Sequence, residues 1–404
     1  MIVGQGANFF LQAAYFLLLA RLLGVSEYGV FAGAFALVNT VTPYTALGST
    51  MVFMRHVSKE RGHAPVYWGN TLAITATASL VCAILLSLVA GSILGSGSTK
   101  LILVLVAANC CTSQIVLNAS AVFQTFEQLK ITAWLRTMSN LFRTLAVATL
   151  LFFLHRVTAF QCSVGLLAAS TLGAFVAVYY VQKAIGKTSV SWQLFRRRFL
   201  EGVGYSVAGS TQAIYNDVDK VMLDHYGMHA ANGIYTMAYR IVDFATTPVT
   251  AIDSATLPRM FALNQSGHSE VLHLARKAAV MAVLTGIAAG ICVLVVSPWM
   301  VKIVGRSFAD SLEAIRWLCW LPALRGIHQL AGGALTATGR QNYRTAAQLL
   351  VAILNFALNL LWIPSHGWLG AAWASLISDG ALSILTTSLI LVFFRRTQLA
   401  LRAV

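Results

Sequence analysis

About twelve apolar runs, each of roughly 20 residues or more, divide this 404-residue chain almost from end to end. A helix of that length crosses the ~30 Å hydrocarbon core of a bilayer. Inside lipid it also satisfies its own backbone hydrogen bonds. The runs cover residues 2–21, 28–54, 66–94, 101–123, 132–154, 157–182, 199–226, 233–257, 278–297, 312–337, 345–363 and 369–394. Only 10% of the residues are charged and 58% are hydrophobic, whereas a soluble domain carries about 25% charge. The predicted fold class is all-α: a polytopic membrane protein of about twelve transmembrane helices. The connections are short, which leaves no room for an extramembrane catalytic domain.

The positive charges are distributed unequally between the two sides. Eighteen Lys and Arg fall in one alternate set of connections, among them Arg55, Lys130, Arg136, Lys183, Arg198, Arg259, Arg340, Arg344 and Arg395, against five in the other, Arg21, Lys100, Arg156, Lys302 and Arg306. By the positive-inside rule the crowded side is cytoplasmic, and both termini are expected there. Topology and attraction to anionic lipid account for most of the net charge of +15 without any nucleic acid. The first run starts almost at Met1 without the basic segment and cleavage site of a secretory leader, so none is expected to be removed. The six cysteines lie in or beside apolar runs at spacings that suggest packing, not a zinc site or disulfide framework.

Against this apolar background, residues 215–243 concentrate six charges: Asp217, Asp219, Lys220, Asp224, Arg240 and Asp243. They flank a polar turn at 228–232 that joins two spanning runs, so they lie at or near membrane depth, where an ionisable group is costly and points to function.

The chain also matches itself weakly. At an offset of 204, Gly29, Val30, Phe31, Asn39 and Arg55 fall on Gly233, Ile234, Tyr235, Asp243 and Arg259. At an offset of 213, Ala121, Thr125, Gln128, Thr132 and Ala133 fall on Ala334, Thr338, Gln341, Thr345 and Ala346. Two pseudo-symmetric six-helix lobes follow, an N-terminal lobe at 1–182 and a C-terminal lobe at 199–404, joined by a basic cytoplasmic linker at 183–198. Parallel repeats of this kind enclose a central site and work by rocking one lobe against the other.

Asp219, Gly227 and the run Gly233, Tyr235, Ala238, Arg240 form one motif of a known family. Ala20 to Gly24 followed by Glu27, Tyr28 and Gly29 form a second; Gly339, Arg340, Asn355, Asn359, Pro364, Gly367 and Gly370 to Ala372 form a third. In this order, over nearly the whole chain, they resemble the polysaccharide and O-antigen flippases of the multidrug/oligosaccharidyl-lipid/polysaccharide exporter superfamily. The resemblance implies a non-enzymatic protein of the bacterial inner membrane. Such a flippase moves an undecaprenyl-diphosphate-linked oligosaccharide from the cytoplasmic to the periplasmic leaflet by alternating access, for lipopolysaccharide or other cell-surface polysaccharide. It implies a polysaccharide polymerase and a chain-length regulator as partners and no cofactor beyond a coupling H⁺ or Na⁺. The lipid II flippase branch is disfavoured, because this chain is shorter.

A diphosphate headgroup needs a polar cavity with cations. Arg143 lies mid-run with Asn140 three residues before it on the same face; Arg325 lies mid-run between Pro322 and Gly326, which loosen the helix. Neither has an acid within a turn of its own helix. Two readings are open for both: a long-range salt bridge, or substrate binding through a bidentate guanidinium. Lys220 and Arg240 are further candidates to face the cavity. In the hairpin, Asp219 and Arg240 reach similar depth at ~1.5 Å rise per residue and could pair. Asp217 and Asp224 flank Lys220, and Asp243 follows Arg240 by three. The hairpin is thus either a structural network or a gate in which an unpaired carboxylate, Asp217 or Asp243, takes up H⁺ or Na⁺.

Weaker patterns point elsewhere. Asp217-Val218-Asp219 copies a glycosyltransferase motif but sits in an apolar helix, and Asp224, His225 and His229 are interrupted as a metal set by Gly227. Arg55 and Arg259 mark the cytoplasmic mouth, as topological anchors or as the first contact for a headgroup. The rivals are a drug/cation antiporter on the same fold, which needs an acidic cavity, and a membrane-embedded O-antigen polymerase or ligase, which would be expected to carry a large periplasmic loop.

Overall fold

The computed structural model describes residues 2–95, 97–154, 157–264 and 268–402. Arg156 lies outside the described residues, as do the side chains of Arg395, Arg396 and Arg402. The described chain is helical, without strands. It divides into two compact units, Met1–Gly233 and Ile234–Val404.

The first unit holds α1 (Ile2–Thr45), α2 (Ser49–Val57), α3 (Ala64–Leu94), α4 (Thr99–Leu105), α5 (Gln114–Thr125), α6 (Leu129–Phe153), α7 (Ala159–Ile185) and α8 (Trp192–His225). Helix α1 contains the first predicted span and most of the second, separated at Gly24, whose φ of 70° and ψ of 174° break the helix. Glycine takes that backbone without a Cβ penalty. The second predicted span then breaks again. Pro43 lies near the end of α1, and Leu47 and Gly48 take left-handed φ of 42° and 63° before α2 begins. The break lets α8 cross at Gly202, since a Cβ on Gly48 would stand 2.1 Å from the Gly202 carbonyl oxygen. The fourth span is α4 and α5 joined by a π-helical segment, Val106–Ser113. Helix α7 starts on a capping box between Thr158 and Gln161, which satisfies two otherwise orphaned N–H groups.

The core of this unit packs Phe53 and Val57 of α2, Trp68 of α3, Val116, Val122 and Phe123 of α5, Leu135 of α6 and Val181 of α7. Outside it, α3 presents Leu80, Val81, Ile84, Leu85 and Leu88 to the exterior. A soluble protein would not leave such a stripe in water; in a bilayer it is the lipid face.

The second unit follows Gly233 through the remainder of α9 (His229–Leu263), then α10 (His268–Val304), α11 (Ser311–Leu318), α12 (Leu321–Ala337), α13 (Gln341–His366) and α14 (Trp368–Arg402). The tenth predicted span is two helices, because Pro322 opens α12 where it cannot continue α11. Val249, Met260, Val271, Ala278, Ala282, Leu330, Leu335 and Ile390 form the core.

Seven segments among the described residues are long and apolar enough to cross a membrane, and Phe10–Val57 holds two predicted spans. The four predicted spans outside that group are α6, α8, α9 and α11 with α12. They carry most of the charges that form the site.

Candidate functional site

The charged hairpin is mostly self-contained. Lys220 is only 2% exposed. Its Nζ lies 3.1 Å from Asp217 Oδ1 and 3.2 Å from Asp219 Oδ1, and donates to the Asn216 carbonyl at 2.5 Å. Asp217 accepts a further bond from Asn39 Nδ2 at 2.5 Å. A buried ammonium needs such partners, because an uncompensated charge in a low dielectric is strongly destabilising. Lys220 is thereby committed to its own helix and does not present its charge to a headgroup in this structure. The expectation of an unpaired Asp217 is corrected by the same contacts.

The tip of the hairpin is locked against α1. An added Cβ on Gly29 would stand 1.7 Å from the His229 carbonyl oxygen, and one on Gly33 would stand 2.4 Å from the Asp224 side chain. Asn232 Nδ2 donates to the Gly29 and Lys220 carbonyls at 2.9 and 3.0 Å. Asp224 Oδ1 lies 2.7 Å from His229 Nδ1, whereas His225 Nδ1 sits 2.6 Å from the Ile93 carbonyl. The two histidines diverge, and no group of three or more metal-capable side chains occurs among the described residues.

A different place in the first unit offers cations that no acid neutralises. Arg136, Asn140 and Arg143 lie at i, i+4 and i+7 on α6 and share one face. Arg143 Nη2 donates to the Ser113 hydroxyl, where the π-helical segment ends; π-bulges concentrate at functional positions. Asn140 Nδ2 donates to Asn8 Oδ1 at 2.6 Å. Among the described residues neither Arg136 nor Arg143 has a carboxylate within ion-pair distance.

Arg136 lines an open cavity of about 360 Å³ with Thr50, Gln114, Asn118, Gln124 and Ser206. Thr50 Oγ1 and Gln114 Nε2 both donate to Asn118 Oδ1, at 2.6 and 2.9 Å, and Asn118 Nδ2 donates to Thr75 Oγ1 at 3.0 Å. This lining contains amides, hydroxyls and a guanidinium but no carboxylate, so it can hydrogen-bond sugar hydroxyls and accept an anion. Sequence reasoning missed it, having placed Arg136 in a connection. The i, i+4 spacing of Gln114 and Asn118 was the available signal.

The second unit treats its guanidinium in the opposite way. Arg325 Nη1 bonds Asp243 Oδ1 at 2.8 Å, Nη2 donates to the Tyr239 hydroxyl at 2.5 Å, and Nε lies 3.5 Å from Asp379 Oδ2. The Tyr239 ring stands 5.2 Å from the guanidinium carbon, within cation–π range. Arg240 Nη1 adds a 4.0 Å approach to Asp243 Oδ2. His328 Nε2 is 3.5 Å from Asp379 Oδ1, near enough for an ion pair but without hydrogen-bond geometry. Of the two readings of Arg325, the long-range salt bridge is the one the geometry displays, and Asp243 is not the unpaired carboxylate of the sequence reading. Asp379, an acid in an apolar helix, was not anticipated. In the same unit, Gly332 makes room for Arg344, whose Nη1 donates to Thr336 Oγ1 at 3.0 Å.

At the predicted mouth, Arg55 Nη1 bonds Glu201 Oε1 at 2.8 Å, with His56 at 3.2 Å and Arg198 at 3.8 Å from the other carboxylate oxygen. Arg259 is exposed on α9.

Residues 1–264 match the family described as polysaccharide biosynthesis protein. A protein of Escherichia coli (strain K12) named for O-antigen transport is 22% identical over 99% of this chain and 96% of its own length. Among solved structures, an inward-facing multidrug resistance MATE family transporter of the MOP superfamily superposes with a TM-score of 0.77 at 12% identity, covering 95% of this chain and 96% of the other. The lipid II flippase MurJ, in an inward closed conformation, gives 0.71 at 15% identity over 96% of this chain and 87% of that one. At these identities the likeness shows the fold alone.

Proposed function

Because the chain belongs to the polysaccharide biosynthesis protein family, we propose that this multi-pass membrane transporter flips an undecaprenyl-diphosphate-linked oligosaccharide from the cytoplasmic to the periplasmic leaflet. It acts as a transporter of the MOP superfamily and not as an enzyme. The observation that carries the substrate reading is the α6 face, where Arg136 lines a cavity whose other polar groups are amides and hydroxyls and Arg143 lies on the same side of the helix, neither with a carboxylate partner among the described residues. A planar guanidinium grips phosphate oxygens in bidentate fashion, and the amides suit sugar hydroxyls. The polyprenyl tail stays in lipid.

In this proposal the lobes at 1–182 and 199–404 alternate access about the linker at 183–198. The basic side, with both termini, faces the cytoplasm of the inner membrane, and Arg55 and Arg259 lie at the entrance. Two headgroup charges leaving a negative interior gain ~2.3 kcal/mol each per 100 mV, so the membrane potential can set direction. H⁺ or Na⁺ coupling would act through the ionic networks at Asp217 and Asp243. The polymerase and chain-length regulator are the proposed partners downstream.

The cation-antiporter alternative requires an acidic cavity, and the cavity lined by Arg136 has no acid in its lining. Expression in a strain lacking its own O-antigen flippase tests the proposal. Restored surface polysaccharide supports it, whereas drug resistance without polysaccharide favours the antiporter.

A further inference from the structure

Helices α2 and α3 and the first turns of α8 enclose a second opening in the first unit, separate from the α6 cavity. It is a narrow, partly open slot. Its walls are apolar, with Leu47, Val52, Ile74, Leu194 and Phe199 among them. Its polar members are Arg198, Ser49, Asn70 and Thr71.

The polar members differ in one respect. Asn70 is engaged with Ser191, accepting from its N–H at 2.9 Å and donating to its carbonyl at 3.1 Å. Thr71 Oγ1 donates to the Tyr67 carbonyl at 2.9 Å. Ser49 Oγ and Arg198 Nε, by contrast, are buried without a hydrogen-bond partner. Leaving such groups unsatisfied costs about 1–3 kcal/mol each, more for a charged one. A phosphate oxygen would satisfy both, and an alkyl chain would fill the apolar walls.

The surroundings fit a ligand that arrives from the membrane. Trp192, Leu200 and Val190 are 67%, 83% and 66% exposed, and Arg196 and Arg197 are exposed beside them. Aromatic, aliphatic and cationic side chains on one short stretch form the signature of a helix end at the lipid headgroup level. We propose that this slot binds a phosphate-headed phospholipid, with its phosphate on Arg198 Nε and Ser49 Oγ and one acyl chain along Leu47, Val52 and Ile74. The bound lipid braces the start of α8 against α2 and α3, where the segment pinned by Asn70 ends.

Native mass spectrometry of the purified full-length protein in detergent tests this, with phosphatidylglycerol and the phosphate-free diacylglycerol titrated in equal amounts. The wild type retains phosphatidylglycerol roughly tenfold more tightly, as one charge-assisted contact implies. Arg198→Gln abolishes the preference, Leu194→Trp, which fills the slot, lowers occupancy by both lipids, and Arg197→Gln changes neither. Leu194→Trp leaves the Arg198–Glu201 contact in place, so it reads the slot even if Arg198→Gln folds poorly. Equal retention of the two lipids, or wild-type occupancy in Leu194→Trp, would overturn the proposal. So would displacement of phosphatidylglycerol by inorganic phosphate alone, or tighter retention of a polyprenyl diphosphate, which would make the slot a substrate site.

Discussion

Arg143 of α6 donates to the hydroxyl of Ser113, at the end of the π-helical segment, and not to a carboxylate. Arg325 occupies the corresponding role in the sequence reading, yet it is held by Asp243 and Asp379. Two mid-span arginines that look alike in the sequence therefore stand in different surroundings.

For Arg143, shape is predicted to matter more than charge. Arg143→Lys keeps the charge but loses the bidentate fork, and transport falls about tenfold, near the value of one charge-assisted hydrogen bond. Ser113→Ala leaves the guanidinium in place and has a smaller effect. Transport rates at matched expression check both.

The Arg325 network is predicted to be structural first. Arg325→Ala leaves Asp243 and Asp379 without their shared cation, and breaking a buried pair from one side costs about 3–5 kcal/mol. Thermal unfolding in detergent should drop by many degrees. Combining Arg325→Leu with Asp379→Leu should recover part of the loss, since it removes the more deeply buried of the two stranded carboxylates.

The glycines of α1 separate steric from conformational demands. Gly29→Ala places a methyl 1.7 Å from the His229 carbonyl oxygen and should abolish folded protein. Gly24→Ala meets no atom within 4 Å but must hold φ at 70° and ψ at 174°, which costs about 1–3 kcal/mol. Fluorescence size-exclusion profiles should show a monodisperse peak for Gly24→Ala and none for Gly29→Ala.

Asn70 holds Ser191 by two hydrogen bonds. Asn70→Ala removes both, at about 1 kcal/mol each. Limited proteolysis should then cut faster in the basic stretch before α8, with the helical core intact.

Much of the fold was legible because lipid imposes a length and a polarity on every span. Residues 66–94 and 157–182 appear as α3 and α7 nearly as predicted. The breaks at Leu47–Gly48 and at Pro322 were not legible as breaks, because an apolar run looks continuous whether or not its backbone is. The site was half legible. The charges of the hairpin stood out, but their partners Asn39 and Arg325 lie 178 and 82 residues from Asp217 and Asp243, and no local pattern encodes such pairings. Arg136 was misplaced because a basic residue near a span end reads as an anchor, whereas its position on α6 sets it on the Arg143 face.

The most direct measurement is flipping of a fluorescent polyprenyl-diphosphate oligosaccharide in proteoliposomes carrying the wild type, Arg143→Ala or Arg136→Ala. The proposal predicts flipping by the wild type, accelerated by a potential that draws anions outward, and a loss of at least about tenfold in each variant. Wild-type rates in both variants at equal protein content would contradict the placement of the diphosphate on α6, and no flipping by active, folded wild type would contradict the function itself.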